Sequence, residues 1–200
     1  MTHTQQDITP RSSDALMIID LQNDFLPNGS LGIKSAAQII EPINRYTELF
    51  ERAQSTIILS RDWHPQDHCS FSQQGGPWPV HCVRNSEGAQ ISADYRWPTQ
   101  AWLVSKATTS AKDAYSAFDG TELATQLQHS AVKRLFICGL ATDYCVLNTV
   151  LDALKEGFEC YLLCDGMDAV NIQSHDGQQA IDTMCQQGAI ALTLTDFNHH

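Results

Sequence analysis

Three side chains far apart in this sequence could together attack a carbonyl: Cys145, Asp20 and Lys106. Cys145 lies in Phe136-Ile137-Cys138-Gly139-Leu140-Ala141-Thr142-Asp143-Tyr144-Cys145-Val146. This apolar run breaks at Gly139 and resumes as a helix-compatible segment opened by Thr142 or Asp143. A strand that turns sharply into a helix delivers the free N–H groups of the first helical turn to the edge of a sheet. A thiol in that turn is expected to be drawn toward thiolate, the nucleophilic form. Asp20 would take the thiol proton and later give it to a leaving amine. Lys106 would hold that carboxylate in place and stabilise negative charge during the exchange. Taken singly, each has a blander reading: a packed cysteine, a strand-end cap, a solvated lysine. Their common position, just after an apolar run, favours the catalytic one.

A second cluster could hold a metal. In Asp62-Trp63-His64 the two outer residues point the same way if the backbone is extended, and His81 could close a facial set. One carboxylate and two imidazoles suit Zn²⁺ first, or Fe²⁺ or Mn²⁺, and leave coordination positions open for water or substrate. His68 stands as a further candidate ligand or a donor behind the ligands, and Cys82 as an alternative soft ligand; both rank below His81.

These residues need elements to present them. Ala15–Ile19 is a continuous apolar run ending at Asp20, as expected of a central parallel strand covered on both sides. Residues 56–59 form the next strand, ending at Ser60-Arg61-Asp62, and residues 101–104 a short one leading to Lys106. Further strands are expected at 135–138, 161–164 and 189–194. Helices are expected over 36–53, 119–129, 143–156 (closed by Gly157) and 174–187 (closed by Gly188). Strand and helix alternate, which predicts an α/β three-layer sandwich, an open and mostly parallel Rossmann-like sheet with helices on both faces. Active sites in such sheets collect beyond the carboxyl ends of the strands. Asp20, Asp62, Lys106 and Cys145 all follow predicted strand ends, so one crevice could hold all four. Residues 63–98 break the pattern with four prolines, three histidines and three tryptophans. An irregular insertion of this kind reads as functional. Residues 14–198 are thus expected to form a single catalytic domain, with an irregular metal and substrate loop at 62–98, behind a loose segment 1–13.

Composition narrows the partners. A formal charge of −11 over 200 residues argues against nucleic acid or an anionic membrane surface. The N-terminus shows no charged-then-apolar signal and no run approaches transmembrane length, so a cytoplasmic protein is expected. Seven cysteines without framework spacing read as reduced thiols, and Cys160-x-x-x-Cys164 as core packing. The terminal His199-His200 is assigned no function. A homo-oligomer stays open.

The joined motifs Asp20-Leu-Gln-Asn-Asp-Phe25, Asp62-Trp-His64, Pro77-Trp-Pro-Val-His81-Cys82, Lys106 and Gly139-Leu-Ala-Thr-Asp-Tyr-Cys145-Val resemble the nicotinamidase/pyrazinamidase family of isochorismatase-like cysteine hydrolases. The match runs in order from about residue 15 to 194. The resemblance implies the same sandwich fold and the hydrolysis of nicotinamide to nicotinate and ammonia, a step of NAD salvage, with pyrazinamide as a further substrate. It implies Cys145 as nucleophile, Asp20 as proton shuttle, Lys106 as their partner, and Asp62, His64 and His81 as metal ligands, with His68 a ligand in only some members. It also implies an oxyanion hole from the N–H groups of Ala141 and Cys145, a cis Leu140–Ala141 peptide, and ring-holding aromatics at Phe25, Trp78 and Tyr115. The nearest alternative is another amidohydrolase of this superfamily, acting on a small carbamoyl or ureido amide. Two further alternatives are a metal-hydroxide hydrolase in which Cys145 is incidental, and a catalytically dead metal-binding or redox-sensing module.

Overall fold

A computed structural model of the chain describes residues 8–197. Six strands form one sheet: β1 (Asp14–Ile19), β2 (Thr56–Asp62), β3 (Trp102–Lys106), β4 (Arg134–Leu140), β5 (Glu159–Asp168) and β6 (Ile190–Leu192). Their order is β3-β2-β1-β4-β5-β6, and every neighbouring pair is parallel. Parallel pairing demands crossovers, and α1 (Ile40–Arg52), α2 (Leu123–His129), α3 (Leu147–Lys155) and α4 (Asp176–Gln186) lie within the connections. The result is the expected α/β sandwich. Among the described residues no helix is long and apolar enough to cross a membrane.

The apolar runs explain the sheet's centre. All six residues of β1 are buried, as are Leu135–Leu140 of β4, because helices cover both faces there. α1 buries Ile40, Ile43, Tyr46, Thr47 and Phe50, one stripe at helical spacing, and packs on β1, β2 and β5. Pro42 is tolerated because it falls in the first turn, where its missing N–H has no partner to lose. A 3-10 turn, Ala36–Ile39, precedes it, so the predicted helix 36–53 is divided in two.

Three elements depart further from expectation. The predicted helix 119–129 starts only at Leu123, because Gly120 takes φ +70° and Thr121 turns its hydroxyl back to the Ala117 carbonyl (2.7 Å). The strand expected at 161–164 runs on to Asp168, with a register shift against β4 between Ile137 and Gly139. The helix expected over 143–156 begins as a π-helical turn, Thr142–Val146, and becomes α-helical at Leu147.

Of the segment expected to be loose, residues 1–7 lie outside the described residues, as does His199-His200. Ile8, by contrast, bridges Phe197 in parallel and packs against the core.

Candidate active site

The strand order reverses between β1 and β4, so the connections leaving their carboxyl ends part to opposite sides and open a crevice. Asp20 follows β1, and Cys145 lies five residues past the end of β4, in the π-helical turn. A π turn wraps one residue more than an α turn and is frequent at functional sites. Here the Val146 N–H donates to the Ala141 carbonyl (3.1 Å), and the Leu140–Ala141 peptide is cis. Lys106 ends β3 directly beside Asp62, the last residue of β2.

Lys106 is the hub. Its buried ammonium lies 2.9 Å from Asp20 Oδ2, 2.5 Å from Asp62 Oδ1, 3.4 Å from Cys145 Sγ and 3.3 Å from the Ala114 carbonyl. Asp20, Asp62 and Cys145 converge closely enough to suggest a metal cage, but the ammonium occupies its centre. Burial alone would lower the Lys106 pKa; Asp20 and Asp62 instead raise it well above the ordinary value, so the group stays charged. Burial raises the Asp20 carboxyl, against the lowering pull of Lys106 and of the Ser60 hydroxyl, which donates to Oδ1 at 2.6 Å. Cys145 departs from the expected thiolate. Burial pushes its thiol well up, and the opposing pull of Lys106 does not offset it. A thiol so placed must lose its proton to a neighbour before its sulfur can attack. A carboxylate whose pKa is itself raised is suited to hold that proton.

Asp62, His64 and His81 each offer a ligand atom, all within 4.8 Å of one another. The chain beyond β2 continues to His64, which bridges Val83 in parallel, so the returning segment brings His81 alongside. His64 Nδ1 faces the His81 carbonyl (3.0 Å) and His81 Nδ1 the Pro79 carbonyl (2.8 Å). Those contacts place the protons on Nδ1 and leave the Nε2 lone pairs for an ion. His64 Nε2 is buried with no hydrogen-bond partner, 3.8 Å from Asp62 Oδ1. Burial lowers the His64 pKa to about 3, which keeps the imidazole neutral as a ligand must be. An orphaned nitrogen, a second imidazole and a carboxylate fit a divalent metal.

His68 is placed differently. Its ring stacks on His64 at 4.1 Å, with Nε2 on the Lys112 carbonyl (3.1 Å) and Nδ1 on the Ser70 hydroxyl (2.7 Å). Both nitrogens are engaged, and the ring braces His64; His68 lies outside the Asp62, His64 and His81 group but forms a second candidate group with His64 and Asp113. Cys82 is fully buried outside that set, and burial raises its thiol well above the ordinary value. Its N–H donates to Asp24 Oδ2 (2.7 Å), which anchors the turn next to His81.

A cleft joins the two clusters, lined by Cys145, Ala141, Asp62, His64 and His81. Phe25, Trp78 and Tyr115 form walls of it, as the resemblance implies. The Trp78 indole N–H donates to the Tyr115 hydroxyl (3.0 Å), and Phe25 packs 5.7 Å from His81. Sequence reading missed Leu31, Ser70, Asp113, Tyr144 and Val170, which complete the lining. Tyr144 is edge-on to Trp78 at 5.1 Å. A carboxylate two residues before Cys145, Asp143, accepts from the Val170 and Asn171 N–H groups (3.0 and 2.9 Å) and so fixes that wall. Gln22 was also missed: its side chain holds the backbone of Asp62.

The isochorismatase domain model matches residues 14–196 of the chain. The chain belongs to the isochorismatase family. It is 36% identical over 204 residues to the nicotinamidase of Escherichia coli K12, an alignment spanning 92% of this chain and 96% of that relative. Among solved structures, the Pyrococcus horikoshii pyrazinamidase in complex with zinc is 43% identical with a TM-score of 0.87, over 91% of this chain and 99% of that one. A protein of L. infantum in complex with nicotinate is 36% identical with a TM-score of 0.89, over 97% of this chain and 100% of that one.

Proposed function

We propose that this chain hydrolyses nicotinamide to nicotinate and ammonia, and accepts pyrazinamide by the same route. The observation that carries the reading is the single ammonium of Lys106, which joins a buried acid, a buried thiol and a candidate metal ligand beside one aromatic cleft. In this mechanism the Cys145 thiol gives its proton to Asp20 as sulfur attacks the carboxamide carbon. The N–H groups of Ala141 and Cys145 hold the oxyanion, and Lys106 offsets the negative charge around it. Asp20 returns the proton to the departing amine, which leaves as ammonia, and a thioester remains on Cys145. Water then adds to the thioester, gives a proton through Asp20 to the sulfur, and releases nicotinate.

Asp62, His64 and His81 would hold a divalent ion, zinc in the first instance and Fe²⁺ or Mn²⁺ as alternatives. When bound, it supplies an electron-pair acceptor for the pyridine nitrogen and so orients the ring. Phe25, Trp78, Tyr115 and Tyr144 flank a flat ring and exclude water. Seven unpaired thiols support a cytoplasmic setting. The nicotinamidase and nicotinate-bound relatives support the substrate.

The test is kcat/KM for nicotinamide and benzamide with zinc present, read by coupled ammonia release. The two amides share a shape and a scissile bond and differ at the ring nitrogen. Benzamide should be poorer by at least about 100-fold, because a site built for a polar ring atom rejects the analogue that lacks it. Values within about threefold, under ~0.7 kcal/mol of discrimination, would mean that the ring nitrogen never meets the metal. Absence of ammonia from nicotinamide would overturn the substrate assignment itself and turn attention to carbamoyl or ureido amides.

A further inference from the structure

We infer that Gln22 is a positioning residue, whose carboxamide sets the place of Asp62 between the ion and Lys106. Past the end of β1, Asp20 takes φ +48° and its carbonyl accepts from the Gln22 N–H (2.7 Å). This tight turn swings the Gln22 side chain under the carboxyl end of β2, where it is fully buried. There Nε2 donates to the Asp62 carbonyl (2.8 Å) and the Ala89 carbonyl (3.0 Å), while Oε1 accepts from the Asp62 N–H (2.8 Å). The carboxamide acts as one more peptide group. The β1–β2 ladder ends at Ile18↔Leu59, the Asp20 N–H adds one more backbone bond to the Ser60 carbonyl (3.2 Å), and the Gln22 side chain takes over at Asp62. On its other side Asp62 is paired with Lys106 of β3, so its backbone is held from both flanks.

The consequence is chemical because of what the Asp62 carboxylate serves. One oxygen is 2.5 Å from the Lys106 ammonium, and the same group belongs to the candidate ligand set. A displacement of this backbone would alter the ion's site and the charge around Asp20 and Cys145 together. Acid and clamp sit two residues apart on one turn, so a single short segment fixes the spacing of both clusters. The inference rests on the metal and triad assignments proposed above.

The experiment compares wild type with Gln22→Met, which keeps the side chain's length and removes every hydrogen bond. Zinc affinity is read by competition with a chromophoric chelator, kcat at saturating zinc, and Tm by thermal unfolding. Groups that orient metal ligands typically change affinity by about 10–100-fold when removed. Gln22→Met should therefore weaken zinc by that factor and lower kcat about tenfold or more, with KM changed less. Gln22→Glu keeps the acceptor for the Asp62 N–H but turns a carboxyl oxygen toward the Asp62 and Ala89 carbonyls, so it should weaken zinc at least as much as Gln22→Met, and it carries the comparison if the methionine variant does not fold. A variant with a lower Tm but zinc affinity and kcat within about twofold of wild type would reduce Gln22 to a structural role and overturn the inference. His64→Ala separates the two failures: if it binds zinc as tightly as wild type, the metal assignment is wrong. If it loses zinc while Gln22→Met does not, the positioning inference alone is wrong. The zinc measurement needs no substrate and stands whatever amide the enzyme hydrolyses.

Discussion

At the scale of single residues, the site buries one cation against two carboxyl groups and a thiol. A proton therefore has few places to go. Cys145→Ala should abolish turnover, by at least about a thousandfold, or ~4 kcal/mol of barrier, while zinc affinity stays within about twofold. Asp20→Asn and Lys106→Ala should be nearly as inactive, since groups acting as a unit fail together. Steady-state ammonia release checks all three, and more than about a tenth of wild-type rate in Cys145→Ala would exclude a thioester on that sulfur. The pH profile follows from Asp20. Burial raises its pKa, and only its ionised form can accept the thiol proton. The acid limb of kcat/KM should thus lie above the ordinary carboxyl value of about 4, activity falling as pH drops through it. The Ser60 hydroxyl, at 2.6 Å, holds that pKa down. Ser60→Ala should move the acid limb to higher pH with the alkaline side unchanged; an unmoved limb would mean that another group sets it. Asp20, Lys106 and Cys145 were legible because each follows an apolar run, where a polar residue is conspicuous. The short contact between Lys106 and Asp62 was not, because it depends on which strands lie side by side and in what register. The expected thiolate failed for a related reason: burial depends on everything packed around the sulfur, which position in a helical turn does not report.

At the scale of elements, the catalytic edge depends on how β4 leaves the sheet. Gly139 adopts φ +111°, and a Cβ there would meet the Ile19 carbonyl oxygen at 2.1 Å, against the strand that delivers Asp20. Gly139→Ala therefore meets both a backbone conformation disfavoured for L side chains and a clash with rigid backbone. A cost of about 2–3 kcal/mol is expected, seen as a Tm lower by roughly 5–10 °C for a chain of this size. Activity of the folded fraction should fall as well, since β1 and β4 must separate slightly at the end that carries the site. An unchanged Tm would show that the edge yields without cost. The apolar run was expected to break at Gly139, but β4 continues through it to Leu140, because the glycine stays paired with both neighbouring strands; the strands themselves were legible because helices on both faces demand unbroken apolar segments. The π-helical start of the following helix was not visible, since one extra residue per turn leaves the local apolar spacing almost unchanged. Nor was the full length of β5, where Cys164-Asp165-Gly166 interrupts the apolar pattern and the register shift against β4 absorbs the extra residues. Helix onsets were blurred by local hydrogen bonds such as that of Thr121, which compete with the first turn.

For the molecule as a whole, two kinds of order meet at the cleft. The sheet and its helices have a contiguous apolar core that includes all of β1's apolar residues and Leu135–Cys138 of β4. The segment 63–101 has no helix or strand longer than the 3-10 turn Ser72–Gln74, and is held by isolated bridges, short hydrogen bonds and the histidine cluster. Asp62 belongs to the sheet, while His64 and His81 belong to the irregular segment, so an ion bound by all three would join one to the other. Binding to the folded state alone stabilises by mass action, about 2.7 kcal/mol at a free metal concentration 100 times Kd. Zinc at that excess should raise Tm by roughly 5–10 °C over the chelator-treated protein. The gain should also be local. Hydrogen exchange after chelation should accelerate across residues 63–84, whose turn hydrogen bonds lose their anchor, while β1 and β4 keep the protection of the sheet. An ion bound only loosely at the surface would leave both Tm and exchange unmoved. An ion required for the whole fold would release β1 and β4 together with 63–84, and would show that the sheet does not stand without the metal.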